Sequence, residues 1–253
     1  MISDLRHKRI LEKIEADDTV VVSELVKEFN VSEMTIRRDL IILENRGLLR
    51  RVHGGAVSQR GRSYEPPYLA RTSENLEAKQ RIGRAAAEVI QNGDSITLDV
   101  GTTTLEIARN LHAKQGLTVI TPSLRIANEL IDHPGIRLIL TGGILRSGEF
   151  SMVGHLAERI FADFFVDKLF LGGGAVDMKV GVSEFNIEDT LVKRAMLKSA
   201  KKVYLVADSS KFRQVAFTSI VPMSGVHTVI TDTELDSQTA SLIRKQNIEL
   251  ILA

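Results

Sequence analysis

Hydrophobic positions change their period once along this chain, and the change divides it. Over residues 4–16, Leu5, Ile10, Leu11 and Ile14 recur at roughly helical spacing, and Leu25, Val26 and Phe29 do so over residues 23–29. After the turn Asn30-Val31, Ser32 supplies an N-cap oxygen. Ile36, Leu40 and Leu43 then share one face of a third helix at spacings of four and three. Three short amphipathic helices, the last two separated by a tight turn, predict a helix-turn-helix. Thr35, Arg37, Arg38 and Ile41 fall off the core face, and Thr35 and Arg38, three apart, can enter a DNA groove together. Residues 48–52 read as a strand, preceded by Gly47. Gly54-Gly55 supplies a permissive turn and Ala56-Val57 begins a return strand, which together make a wing.

Residues 58–74 lack periodicity and are rich in breakers, so they read as a linker stiffened by Pro66-Pro67. From Leu76 apolar runs alternate with helical patterns. Strands are expected at 95–98, 117–120, 136–140, 168–171, 202–206, 226–230 and 249–252. Helices are expected at 77–91, 104–112, 123–132, 156–164, 187–199 and 236–245. The predicted fold class is α/β: a winged helix-turn-helix over 1–57, a linker over 58–74, and a mostly parallel α/β domain over 75–253.

Composition fits two domains, with 253 residues of which 43% are hydrophobic. Residues 32–62 carry seven arginines against three acidic residues, a net of +4, while the whole chain is only +1. Such a local basic face suits phosphate attraction. The absence of cysteine excludes disulfides, thiol catalysis and cysteine-ligated zinc, and fits a reducing cytoplasm. Neither a secretory leader nor an apolar run near eighteen residues is visible, so a cytoplasmic protein without a membrane span is expected. Tryptophan is absent and aromatics make up 5%, which favours duplex DNA over stacked single strands. Six scattered histidines make no H-x-x-x-H pair, so no metal site is expected.

Candidate chemistry gathers at the carboxyl ends of the predicted strands. There lie Asp99-Val-Gly101-Thr102-Thr103-Thr104, Thr121-Pro-Ser123, Thr141-Gly142-Gly143, Gly172-Gly173-Gly174-Ala-Val-Asp177, Ala207-Asp-Ser-Ser-Lys211 and Thr231-Asp232. Open parallel sheets bind ligands at this edge. Gly101 to Thr104, leading into a helix, offers backbone N–H groups and a positive dipole end, a phosphate site in outline. Asp99 could accept from sugar hydroxyls, with Lys193 and Lys211 as point charges. No G-x-G-x-x-G opens a helix here, so no dinucleotide or other cofactor is implied.

The run S-x-x-T-I-R-R-D-L from Ser32, followed by L-x-R-x-H-G-G-A from Leu49, resembles the N-terminal signature of the DeoR family of bacterial transcriptional regulators. The resemblance implies a repressor of carbohydrate metabolism, with double-stranded operator DNA contacted by the helix that Ser32 caps, through Thr35, Arg37 and Arg38. Arg50, Arg51 and His53 would lie on or near the wing. The second domain resembles the phosphosugar isomerase fold typified by ribose-5-phosphate isomerase, which implies a phosphorylated sugar effector. Its pocket would include Asp99, Gly101, Thr102, Thr103, Thr104, Thr121, Gly142, Gly143, Gly173, Gly174, Asp177, Glu184, Lys193 and Lys211. Thr121-Pro-Ser123 departs from the Thr-Asn of typical regulators. Counted back from Lys211, the catalytic glutamate of the isomerase falls on Lys193, which cannot abstract a proton while charged. A sensor rather than an enzyme is therefore expected. The alternative, an isomerase with an appended DNA-binding module, rests on Glu184 or Glu188 serving as the base. A homo-oligomer, dimer or tetramer, is expected because one three-helix module makes few operator contacts. The sugar and the sign of its effect stay open.

Overall fold

A computed structural model describes residues 3–17, 19–46, 48–58 and 61–253. Gly47 before the wing, and Gln59 and Arg60 of the expected linker, lie outside the described residues, as do the side chains of Asp4, Glu15 and Ala16. The chain forms two compact units, Met1–Tyr64 and Glu65–Ala253.

In the first unit the order is α1 (Ser3–Asp17), β1 (Thr19–Val21), α2 (Val22–Phe29), α3 (Glu33–Asn45), β2 (Arg50–Val52) and β3 (Gly55–Val57). Asn30 ends α2 in the left-handed region at φ 51°, which turns the chain sharply, and Ser32 Oγ then accepts the Thr35 N–H to start α3. Ile10, Ile14, Leu25, Phe29, Ile36, Leu40, Leu43 and Leu49 close into one core. The wing gains an unpredicted third strand, because β1 pairs with β3 and the sheet order is β1-β3-β2. Thr19-Val20-Val21 is too short to show a period of two by itself. Gly55 makes this pairing possible, since a Cβ there would sit 2.0 Å from the Val20 carbonyl oxygen.

A second feature escaped the pattern altogether. Asp39, buried on α3, accepts from Arg6 Nε at 2.5 Å and Arg6 Nη2 at 3.1 Å, and hydrogen-bonds His7 Nε2 at 2.9 Å. Burial works against its charged form, but Arg6 and His7 more than offset that and hold the carboxyl below its usual range. This bidentate pair fixes α1 against α3.

The second unit begins with α4 (Tyr68–Ser73) and α5 (Leu76–Glu88), followed by β4 (Ser95–Leu98), α6 (Thr102–Arg109), β5 (Leu117–Thr121), α7 (Leu124–Leu130) and β6 (Ile136–Leu140). Next come β7 (Ile144–Arg146), β8 (Ser151–Val153), α8 (His155–Asp163), β9 (Val166–Leu171), β10 (Ala175–Asp177), β11 (Gly181–Glu184) and α9 (Ile187–Ser199). It ends with β12 (Ala200–Val206), β13 (Thr218–Val221), β14 (Thr228–Thr231), α10 (Ser237–Lys245) and β15 (Glu249–Leu252).

Seven strands form one parallel sheet in the order β15-β14-β12-β9-β4-β5-β6. Two apolar clusters cover its faces, one around Leu169, Leu205 and Met196, the other around Ile96, Ile107 and Phe170. All seven expected strands and six expected helices of this unit are present, with ends shifted by up to three residues. Two smaller sheets were not anticipated, the hairpin β7-β8 and the order β10-β11-β13, whose three- and four-residue strands are too short for a periodic signal. The expected linker is also corrected. Its second half folds, with α4 inside it, because Tyr68 buries its ring and Arg71 finds acidic partners.

Removing Asp39 would take the bidentate carboxylate from a buried guanidinium. Asp39→Ala is expected to destabilise the first unit by about 3 to 5 kcal/mol, read as lost amide protection in α1 and α3. Because the folded carboxyl titrates below its unfolded value, its contribution is present at neutral pH and is lost as pH falls through the folded value, so the variant should be less acid-sensitive than wild type.

Candidate functional site

Two surfaces collect the predicted residues, one on each unit. On α3 the outward face carries Met34, Arg38 and Ile41 at helical spacing, with Met34 80% and Ile41 40% exposed. Arg37 is also exposed but pairs with Glu33 at 2.6 Å, one turn back. The Thr35 hydroxyl lies 2.8 Å from that of Ser32 and belongs to the cap as much as to the outer face. On the wing, Arg50 and His53 are exposed, and neither they nor Arg38 has an ion pair among the described residues. Arg51 differs from its expected role. Its Nε donates to Glu44 at 2.6 Å and its backbone N–H to the same carboxylate at 2.9 Å, so it braces the wing against α3.

The second surface is a cleft at the carboxyl ends of β4, β9 and β12. Gly101, at φ 138°, turns the chain from β4 into α6, a conformation that only glycine adopts without strain, and aims the first N–H groups of α6 at the cleft. Gly101, Thr102, Thr103, Thr104, Gly173, Gly174, Glu184, Lys193 and Lys211 all line it. Gly172 and Asp208 line it too, and Asp208 Oδ2 is buried with no hydrogen-bond partner among the described residues.

Asp99, Thr121, Gly142, Gly143 and Asp177 do not line the cleft, and each has another occupation. Asp99 is fully buried beneath it, accepting from the backbone N–H of Val100 and Gly172 and from Lys193. Thr121 donates its hydroxyl to the Leu98 carbonyl at 2.7 Å, joining β4 to β5. Gly142 and Gly143 turn the chain into the β7-β8 hairpin, where a Cβ on Gly143 would meet the Val153 carbonyl oxygen at 2.6 Å. Asp177 Oδ1 accepts from the Lys179 and Val180 N–H groups and closes the β10-β11 turn.

Lys193 faces the cleft but is not a free cation. It is 1% exposed, pairs closely with Asp99, and lies 3.4 Å from Glu184. Burial lowers its proton affinity, but Asp99 and Glu184 outweigh this and hold it charged, above the usual lysine range. Glu184 in turn accepts the Phe185 N–H at 2.9 Å.

Lys79, which the strand-end search missed, is the opposite case. It is 2% exposed on α5, and its ammonium donates to the Arg71 and Glu74 carbonyls at 2.5 and 2.6 Å, with no ion pair to a carboxylate among the described residues. Burial lowers its proton affinity, the negative charge of Asp208 works against that without reversing it, and the positive charge of Lys211 adds to the lowering. Lys211, half-buried, is likewise without an ion pair among the described residues. The signal for Lys79 was visible in sequence, since a lysine shares the apolar face of Ile82, Gly83 and Ala86. Glu65, Arg71, Glu149 and Asp189 at the cleft mouth were missed as well. They sit in the segment taken as linker, in an irregular turn and at a helix start.

At the mouth, Arg146 holds Glu65 at 2.9 Å and Asp189 at 2.5 Å, while Arg71 holds Glu149 closely and Glu65 at 3.5 Å. Three carboxylates share two guanidiniums. Burial dominates for Glu149 and pushes its carboxyl up to about 7 despite Arg71. Among the described residues no cluster of three or more potential metal ligands is present, and no helix is long and apolar enough to cross a membrane.

Residues 6–61 match the DeoR-like helix-turn-helix domain and residues 74–233 the DeoR C-terminal sensor domain. The chain is 34% identical to the glycerol-3-phosphate regulon repressor of Escherichia coli (strain K12), over 98% of each protein. It is 33% identical to the HTH-type transcriptional regulator GolR of Listeria innocua, over 91% of each. Among solved structures, ribose 5-phosphate isomerase A from Methanocaldococcus jannaschii aligns with a TM-score of 0.41 and 16% identity, over 55% of each chain.

The raised carboxyl of Glu149 sets a pH dependence. A buried acid that titrates higher in the fold than when unfolded stabilises the fold below its unfolded value, and that contribution is lost as pH rises through about 7. Glu149→Gln should therefore gain stability relative to wild type as pH rises across that window, by up to about 3 kcal/mol. A difference in melting temperature between the two proteins that stays flat from acid to neutral pH would contradict it.

Proposed function

The chain belongs to the DeoR family of transcriptional regulators, and from that premise we propose that it represses a carbohydrate-utilisation operon, with operator binding modulated by a phosphorylated sugar. It is a regulator and not an enzyme. Arg38 reads a base edge from the exposed face of α3, while Arg50 and His53 meet backbone phosphates from the wing. Arg37 joins them when it leaves Glu33. A second copy supplies the other half-site, since one such unit makes few contacts with DNA. The protein works in the cytoplasm, where its operator is.

One observation carries the effector reading: Lys79 and Lys211 converge on the cleft at the N-terminus of α6 without carboxylate partners among the described residues. A buried ammonium without a counter-ion is costly, and a phosphate relieves that cost while accepting the α6 N–H groups. Sugar hydroxyls would then meet Glu184 and the unpartnered Oδ2 of Asp208. Isomerase chemistry is not served by this arrangement, because the available glutamate is held by Lys193 and a backbone N–H. The glycerol-3-phosphate regulon repressor among the relatives is in keeping with a phosphorylated effector.

Arg38→Ala should weaken binding to a selected operator by about 1 to 3 kcal/mol and leave the melting temperature nearly unchanged. Equal loss on random duplex would reduce Arg38 to a phosphate contact. For the effector, sugar monophosphates that bind the native chain should raise its melting temperature, their phosphate-free sugars should not, and Lys211→Ala should shrink the rise. An equal rise with phosphate-free sugars would contradict the phosphate assignment.

A further inference from the structure

The groups that would hold an anion in the cleft also fasten residues 65–75, the segment that follows directly on the first unit. We propose that these residues form a strap that docks through its own Arg71 on Glu149 and through the Lys79 ammonium on its carbonyls, and that an anion in the cleft draws both cations from these contacts, undocks the strap and changes the grip of the DNA-binding unit.

The fasteners are few, and most include a charged group. Arg71 on α4 pairs with Glu149, and Glu65 pairs with Arg146 at 2.9 Å, while the contacts of Arg71 with Glu65 and with the Pro66 carbonyl lie within the strap. Lys79 donates to the carbonyls of Arg71 and Glu74, two strap residues. Asn75 Nδ2 donates to Asp208 Oδ1 at 3.0 Å, and Asp208 lines the cleft as well. Lys79 directs its few donors at strap carbonyls, and Arg71, a strap residue, directs its own at Glu149, Glu65 and the Pro66 carbonyl. A phosphate that takes them must take them from Glu149, Glu65 and the two carbonyls. The two uses exclude one another, and mutual exclusion of this kind is thermodynamic linkage.

Energetics place the docked and released states within reach of each other. The mouth has three carboxylates for two guanidiniums, so one carboxylate is always under-matched. Glu149 is that carboxylate, held against its own desolvation. Losing Arg71 lets it protonate or take up water instead of remaining as a bare buried charge, which limits the cost of release. One contact is insensitive to anions. Tyr68 stacks on the Arg125 guanidinium at 4.0 Å, with Phe150 at 4.4 Å on that guanidinium too. Release is then a swing of the strap about Tyr68.

The inference rests on the phosphorylated-effector reading only for the identity of the anion, so the main test uses no ligand. Full-length Arg71→Gln and Glu149→Gln should exchange amides of residues 69–75 at least about tenfold faster than wild type. They should also bind a duplex selected by the wild-type protein with an affinity changed about fivefold or more. Unchanged exchange would show that charge does not fasten the strap. Faster exchange with operator affinity within twofold of wild type would show that release does not reach the DNA-binding unit. Should either variant fail to melt cooperatively, Glu65→Gln removes a half-buried contact instead and faces the same criteria.

In wild type, inorganic phosphate at matched ionic strength should speed strap exchange, and in Arg71→Gln it should add little. No effect of phosphate on the wild-type strap would overturn the competition. If the variants and phosphate behave as stated while no sugar phosphate changes operator binding, the effector reading fails and the strap stands.

Discussion

Buried charge that must be matched organises the second unit. Lys193 lies in the sheet's carboxyl edge and cannot remain an ammonium there unless Asp99 and Glu184 stay beside it. Asp99 is fixed by the N–H groups of Val100 and Gly172, so the triad pins the ends of β4 and β9 to α9 and β11. That gives the cleft a rigid floor. Lys79 and Lys211, on the opposite wall, have no such partners among the described residues, and the difference between matched and unmatched lysines is what makes the cleft receptive to an anion.

The same rule governs the first unit in simpler form. Arg6 and Asp39 hold α1 against α3 from inside the core, which leaves α3 free to present Met34, Arg38 and Ile41 outward. Arg51 and Glu44 do the equivalent for the wing. Basic residues in this unit thus include structural ones with carboxylate partners, Arg6 and Arg51, and outward ones without an ion pair among the described residues, Arg38 and Arg50, with Arg37 outward and paired to Glu33. Net charge alone could not separate them.

Much of this was legible in sequence. Strand-end glycines and threonines announced the cleft, because parallel strands in an open sheet converge at one edge whatever the details of packing. Ile36, Leu40 and Leu43 announced the recognition helix through periodicity alone. What escaped were relations between distant residues. Arg6 and Asp39 are 33 positions apart and Asp99 and Lys193 are 94 apart, and no local pattern pairs them. Asp99 and Lys193 were taken as ligand contacts for that reason, though each is largely committed to the other. Short strands such as β1, β10 and β13 exist only because a partner lies beside them. Glu65 and Arg71 were hidden by a breaker-rich segment whose order comes from ion pairs and one buried ring, not from a periodic apolar face.

Repression, effector binding and the strap meet in a single claim, that an anion taken by unmatched lysines in the second unit is felt at α3 in the first. The most direct test is the dissociation constant of the full chain for its operator, titrated with sugar monophosphates and with the same sugars lacking phosphate, at constant ionic strength. A phosphorylated sugar should change that constant by about tenfold or more at saturation, and its phosphate-free counterpart should leave it unchanged. An operator affinity indifferent to every sugar phosphate that demonstrably binds the chain would contradict the account.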